Sequence, residues 1–366
     1  MNILFVVTGL GGGGAEKVVC DLADAMYKKG HEVKIAYLTG DKIVQPKHEE
    51  IEIYYLKLNG LFCFFNSFNN LKKVIKVFKP DVIHTHMVHA NIFVRLCRLF
   101  IQMPRLICSA HSKNEGGKLR MLAYRLTHSL SDVTTNVSNE ASGNFIINKA
   151  VLNDEILTVY NGIDLKKFIE YKVNLCLFKR SLNINPEAKV LIAVGRFHEA
   201  KDYPNLINAF NIFLKKFDKK LFHLFIIGDG NLALITKTKN LIHDYNLGNN
   251  IHLMGRRDDI AELLSGADLF ILSSKYEGLP TVVIEAMACG TFVIATDCGG
   301  SAEIMGDTGI LVPPQNSEAL AEAIKQAVNK TPLDIQENNL KARQRVEELF
   351  SLEKSVENWL KIYRNE

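Results

Sequence analysis

No stretch of this 366-residue chain approaches the roughly 18 to 20 uninterrupted apolar residues of a membrane-spanning helix. Its start lacks a basic leader and a small-residue cleavage site. Ile3, Leu4, Phe5, Val6 and Val7 follow almost at once on Met1, and the run is expected to be a buried strand, not a secretion signal. The seven cysteines, Cys20, Cys63, Cys97, Cys108, Cys176, Cys289 and Cys298, are scattered and odd in number. That pattern suits free, mostly buried thiols in a reducing compartment, so a cytoplasmic location is the expectation. There is no Asp-x-Asp pair to hold a divalent cation and no nucleic-acid-reading motif of the usual kinds. What remains is 47% apolar and 23% charged, a globular composition, and the length favours two cores over one.

Negative charge is almost absent from one long span. Between Lys57 and His128 stand twelve basic residues against two acidic ones, Asp81 and Glu115, so the span carries +10 and the rest of the chain −6, within a net +4. Leu61, Phe62, Phe64, Phe65 and Phe68 look like exposed apolar residues among these charges. A solvated helix face is one explanation; the basic and aromatic mixture also suits an anionic lipid surface or a diphosphate-bearing acceptor. Nucleic acid ranks below both.

Apolar runs alternate with helix-period segments. Strands are predicted at Ile3–Thr8, Glu32–Leu38, Ile51–Tyr55, Val82–His84, Arg105–Ala110 and Val133–Val137, with helices such as Ala15–Lys29 and Leu71–Phe78 between them. After a polar, irregular stretch near Asp164–Pro186 the pattern restarts at Val190–Val194, Leu224–Ile227, Ile251–Leu253, Leu269–Leu272 and Phe292–Ala295. Repeated β-α-β units give parallel sheets covered on both faces, hence an α/β chain of two doubly wound domains. Such sheets bind ligands beyond the carboxyl ends of their strands, so two of them facing each other would form a cleft.

Three constellations lie at predicted strand ends. Gly9-Leu10-Gly11-Gly12-Gly13-Gly14 satisfies a dinucleotide fingerprint, yet the second strand ends in Tyr37, Leu38 and Thr39 with no acid to hold a ribose. The alternative is a loop that lets a sugar or phosphate approach the backbone and a helix N-terminus. In the second, Gly195, Arg196 and Lys201, a planar fork and a compact charge suit a diphosphate, or form a surface ion pair. The third, Ser273 to Gly290, holds Glu277 and Glu285 with seven residues between them, and Pro280 opens a helix that Gly290 closes. First-turn N–H groups would favour phosphate, and a carboxylate can accept from two hydroxyls of a ribose or hexose. His84, His86 and His89 could suggest a metal site, though a further ligand type would be needed.

Together with Asn161-Gly162-Ile163-Asp164, these segments resemble the retaining glycosyltransferases of the GT-B fold, the glycosyltransferase family 4 type, over nearly the whole chain. The resemblance implies two Rossmann-like domains facing across a cleft: 1–165 for the acceptor, joined by a terminal helix at about 350–366 that crosses back, and 166–349 for a nucleotide sugar, the halves approaching across a hinge near Asp164 and again near Phe350. It implies that Glu277 contacts donor-sugar hydroxyls, Glu285 holds the ribose, and Arg196 with Lys201 neutralises the diphosphate. Gly195 and the segment Gly278, Leu279, Pro280, Thr281 and Val282 complete the donor site, Gly12, Gly13 and Gly14 approach it, and His111 lines the reaction centre, with a structural role for His111 as the competing reading. His84, His86 and Asn161 are assigned to the acceptor side.

The implied chemistry is a front-face displacement with retention, because no carboxylate nucleophile stands out. The implied donor is a UDP-sugar, the acceptor a lipid-linked saccharide or other glycan of bacterial surface polysaccharide, and the placement peripheral on the cytoplasmic membrane face. No cofactor and no metal are expected, and no nucleic-acid partner. A UDP-sugar 2-epimerase of the same fold and a non-catalytic glycan- or nucleotide-binding module are the alternatives.

Overall fold

The computed structural model of the protein describes residues 1–152, 155–169, 179–180 and 182–366. Part of the predicted Asp164–Pro186 stretch, with Cys176, lies outside the described residues. The chain divides into two compact units, Met1–Asp164 with Leu349–Glu366, and Leu165–Glu348.

The first unit runs β1 (Asn2–Val7), α1 (Gly14–Lys28), β2 (Glu32–Tyr37), β3 (Ile53–Tyr55), α2 (Phe64–Phe78), β4 (Val82–His86), α3 (Val88–Cys97), β5 (Arg105–Ser109), α4 (Lys118–Thr127), β6 (Val133–Asn136), α5 (Asn139–Ile147) and β7 (Leu157–Thr158). Among the described residues these seven strands pair in parallel in the order β3-β2-β1-β4-β5-β6-β7. β1 is apolar at nearly every position because both of its faces are covered. Ile3, Phe5 and Val7 pack towards α1, while Leu4 and Val6 pack towards α2 and α3. The second unit runs β8 (Lys189–Val194), α6 (Tyr203–Leu214), β9 (Phe222–Ile227), α7 (Leu232–Asp244), β10 (Ile251–Leu253), α8 (Ile260–Gly266), β11 (Leu269–Leu272), α9 (Thr281–Ala288), β12 (Phe292–Thr296), α10 (Ser301–Met305), β13 (Ile310–Val312), α11 (Ser317–Val328) and α12 (Pro332–Leu349). Its described strands are also parallel, ordered β10-β9-β8-β11-β12-β13. Both sheets are therefore doubly wound.

The last helix, α13 (Leu352–Arg364), belongs to the first unit. Val356, Trp359, Leu360 and Tyr363 recur at helical spacing and sink into the core of β1 and α1. Each such side chain contributes about 1.5–3 kcal/mol of burial. Ile163 N–H donates to Phe350 O and Leu352 N–H to Ile163 O, both at 2.9 Å, and a Cβ on Gly162 would lie 2.5 Å from Ser351 O. Glycine at 162 is thus what lets the returning chain pack so closely.

Two expectations are corrected here. Strand β4 continues to His86 instead of stopping at His84. Helix α2 begins at Phe64, seven residues before the predicted Leu71, so helical spacing turns Phe64 and Phe68 onto the core and leaves Phe62 and Phe65 exposed. Of the twelve basic residues, Arg95 is fully buried, with Nη2 donating to Thr134 Oγ1 at 2.7 Å and its guanidinium over the Tyr124 ring. Arg98 pairs with Asp132 at 2.7 Å. No helix among the described residues is long and apolar enough to cross a membrane.

Candidate functional site

In each sheet the strand order reverses once, between β1 and β4 and between β8 and β11, and at such points connections leave in opposite directions, opening a crevice beyond the carboxyl ends. The sequence motifs occupy those places. The glycine loop follows β1, the Arg196 loop follows β8, and the Glu277 loop follows β11.

Two glycines of the first loop have local reasons to be there. Gly12 holds φ +87°, and a Cβ on Gly9 would lie 3.0 Å from Thr39 O. Gly11 and Gly14 have neither reason, since a Cβ at either would meet nothing within 4 Å. Gly13 caps α1 without a side-chain hydrogen bond, so first-turn N–H groups stay available beside open space. A ligand approaching the backbone would use that space.

The histidines separate into different environments. His84 is wholly buried, its Nδ1 2.7 Å from Tyr363 Oη and its Nε2 2.7 Å from Ser109 Oγ. Both nitrogens are therefore spent on the core, which removes His84 from the expected acceptor surface. His86 is also buried, with Nδ1 3.0 Å from His111 Nε2. Burial holds His84 and His86 well below the usual imidazole range and lowers His111 to about 4. His111, half-buried at the end of β5, is anchored by its N–H to Glu115 Oε1 at 2.9 Å. Glu115 also accepts from Ser112 Oγ at 3.1 Å, and burial raises its carboxyl. His89 is exposed on α3, and no group of three or more potential metal ligands stands together among the described residues. Asn161 is buried beside Gly162, at the crossing of α13.

The second unit brings its residues closer together. Lys201 Nζ lies 2.7 Å from Glu277 Oε1, which also accepts from Ser274 Oγ at 2.6 Å. Gly195 makes room for Lys201, because a Cβ there would meet Lys201 Cε at 2.7 Å, and Gly195 O accepts from Tyr203 Oη at 2.6 Å. Two straps join the loops, Ser273 Oγ to Lys201 O at 2.8 Å and Lys275 N–H to Ala200 O at 2.7 Å. Arg196 is exposed on the same loop.

Helix α9 starts at Thr281 after Pro280, directly behind the Glu277 loop and again without a side-chain cap, which leaves first-turn N–H groups without an intrahelical acceptor. Glu285 is buried one turn further on, between the buried Ile284 and Ala286; Leu279 is buried and Gly278 O accepts from Gly300 N–H at 2.8 Å. Sequence reasoning missed the turn that supports this loop. Gly299 has φ +58°, and a Cβ there would lie 2.6 Å from Glu277 O and 2.8 Å from Gly278 O. The Gly299-Gly300 pair just after β12 was the available signal. The arrangement offers cations, free helix N–H groups and two carboxylates, which together can bind a phosphorylated polyol.

The sequence profile of the family Glycosyl transferases group 1 matches residues 177–346, and that of Glycosyltransferase Family 4 matches residues 12–167. The Bacillus anthracis N-acetyl-alpha-D-glucosaminyl L-malate synthase is 32% identical over 241 residues, 64% of this chain and 59% of that protein's length. The Escherichia coli UDP-Gal:alpha-D-GlcNAc-diphosphoundecaprenol alpha-1,3-galactosyltransferase is 24% identical over 303 residues, 80% of this chain and 78% of its own. Among solved structures, Anabaena Alr3699/HepE in complex with UDP superposes with a TM-score of 0.86 over all of both chains at 18% identity.

Proposed function

We propose that this chain, which belongs to the glycosyl transferases group 1 family and has the GT-B type of fold, transfers a hexose or N-acetylhexosamine with retention from a UDP-sugar to a lipid-linked saccharide in bacterial surface polysaccharide assembly. The observation that carries the reading is the Lys201–Glu277 pair joining the loops after β8 and β11, with Arg196 exposed on the first loop and the uncapped start of α9 following the second. Charge-assisted bonds from a guanidinium, an ammonium and two backbone N–H groups suit a diphosphate leaving group. In this reading Glu277 contacts the sugar hydroxyls and Glu285 holds the ribose. The donor choice draws on the UDP bound by the Anabaena protein, and the acceptor choice on the diphosphoundecaprenol acceptor in the name of the Escherichia coli relative.

In this mechanism the leaving phosphate, stabilised by Arg196 and Lys201, takes the proton of the acceptor hydroxyl as the new glycosidic bond forms on the face the phosphate leaves. His111 binds the sugar in its oxocarbenium-like state, and the first unit receives the acceptor. Peripheral attachment to an anionic membrane face accompanies this reading. It is supported by the exposed Phe62 and Phe65 beside Lys72, Lys73 and Lys76, and by α4, where Leu119, Leu122 and Leu126 form an exposed stripe among Lys118, Arg120 and Arg125.

A nucleotide screen by thermal unfolding tests the donor first: UDP should raise the midpoint more than GDP, ADP or CMP. With the UDP-sugar that gives UDP release, Arg196→Ala and Lys201→Ala should each lower turnover by at least about 10- to 100-fold, and excess EDTA should leave it unchanged. Wild-type turnover in folded variants would remove the diphosphate assignment, and loss in EDTA restored by magnesium would show a metal at work.

A further inference from the structure

Two buried histidines, His84 and His86, stand behind His111. His86 Nε2 is sealed from solvent without a hydrogen-bond partner among the described residues, while Nδ1 lies 3.0 Å from His111 Nε2. Two neutral imidazoles can make that contact in two ways. If His111 donates, His86 must carry its own proton on Nε2 and bury an N–H with no acceptor. If His86 donates from Nδ1, the sealed Nε2 is only a bare lone pair. Orphaned buried N–H groups are rarer than under-used acceptors, which favours donation by His86.

The ring of His86 cannot simply turn to escape the choice. It lies against His84, with ring centroids 4.0 Å apart, and against Phe5 at 5.8 Å. His84 is itself held at both nitrogens by Tyr363 Oη and Ser109 Oγ, so helix α13 backs the stack. His111 Nδ1 has no partner among the described residues and is not among the sealed atoms.

We propose that His86 is a positioning residue that holds His111 in its Nδ1–H tautomer, so that the nitrogen turned away from His86 is a hydrogen-bond donor for a sugar oxygen. The clause about sugar rests on the functional reading above; the tautomer does not. A neutral donor at that place can keep its bond to a hydroxyl oxygen as positive charge develops on the ring, without adding a second cation.

The test is long-range proton–nitrogen correlation on the full chain labelled with ¹⁵N-histidine at pH 7.5, with His111→Gln used to assign the signal. The wild type should show His111 protonated on Nδ1 and bare on Nε2. His86→Leu should shift it towards the Nε2–H form, whereas His86→Asn, which keeps an N–H near the place of Nδ1, should retain the wild-type pattern. UDP release from UDP-glucose and UDP-N-acetylglucosamine is the second readout. It should fall about 10- to 100-fold in His86→Leu, through kcat with KM for the sugar nucleotide held, and recover in His86→Asn. A wild-type His111 protonated on Nε2 overturns the proposal, even if His86→Leu fails to fold, and so does a tautomer indifferent to His86→Leu. The predicted tautomer in a protein that releases no UDP would support the proposal and unseat the functional reading instead.

Discussion

Imidazoles titrate near neutrality in water, and several here are kept from doing so by the strands that bury them. His111 and His252 are lowered to about 4, His84 and His86 lie well below the usual 6.5, and His223 is lowered too, in each case chiefly because burial disfavours the charged ring. An unfolded chain binds protons at these positions as pH falls through about 6.5, when the folded chain does not. Their stability contribution is therefore complete above about pH 6.5 and is lost as pH falls towards 4. Glu115 and Asp202 act with the opposite sign, since their carboxyls, raised by burial, favour the folded state on the acid side, but they are two groups against these five imidazoles, with His31, His89 and His128 lowered as well. Urea midpoints should be lower at pH 5 than at pH 7.5, and His252→Asn should flatten the difference. A midpoint as high at pH 5 would contradict this account.

At the scale of elements, the turn after β12 and the glycine loop after β1 show two different uses of glycine. Gly299 sits in the left-handed region with carbonyl oxygens where a side chain would go, so it serves the loop that carries Glu277. Gly14 opens α1 with free space above it and serves no packing purpose. Gly299→Ala should lower stability by about 1–3 kcal/mol and weaken stabilisation by UDP. Gly14→Ala should leave the unfolding midpoint unchanged or slightly higher, because alanine is the better helix residue, yet reduce UDP release. Thermal unfolding with and without UDP, alongside turnover, checks both; full activity in Gly14→Ala would mean that no ligand approaches that loop. The Arg196, Lys201 and Glu277 cluster was legible because each member lies just past a strand whose apolar run marks its end. Ser274, Tyr203 and Gly299 were not, since their contacts depend on how separate loops meet.

For the whole molecule, charge is distributed unevenly and the fold refines that asymmetry. Burial of Arg95 and pairing of Arg98 take cations out of the +10 span, but Lys72, Lys73 and Lys76 stay exposed on α2. A basic residue near an anionic bilayer contributes about 1 kcal/mol, screened within a Debye length of about 8–10 Å. Sedimentation with phosphatidylserine-containing liposomes should therefore show binding at low salt that weakens at 0.5 M salt and drops when Lys72, Lys73 and Lys76 become glutamate. Binding unaffected by those changes, or absent at low salt, would favour an acceptor in solution.

The alternation of apolar strands with helix-period segments was sufficient to announce two doubly wound sheets, because hydrophobic period depends only on local neighbours. The same local reading placed Gly9–Gly14, Arg196, Lys201, Glu277 and Glu285 at strand ends and helix starts. Only the tertiary structure decided which side chains remain available there. His84 and His86 look alike in the sequence, two residues apart on one strand, yet His84 is consumed by Tyr363, 279 residues away, while His86 reaches His111. Phe64 and Phe68 turn inward, whereas Phe62 and Phe65 do not. Burial and hydrogen-bond partners are set by segments distant along the chain, and no local pattern records which of them will arrive.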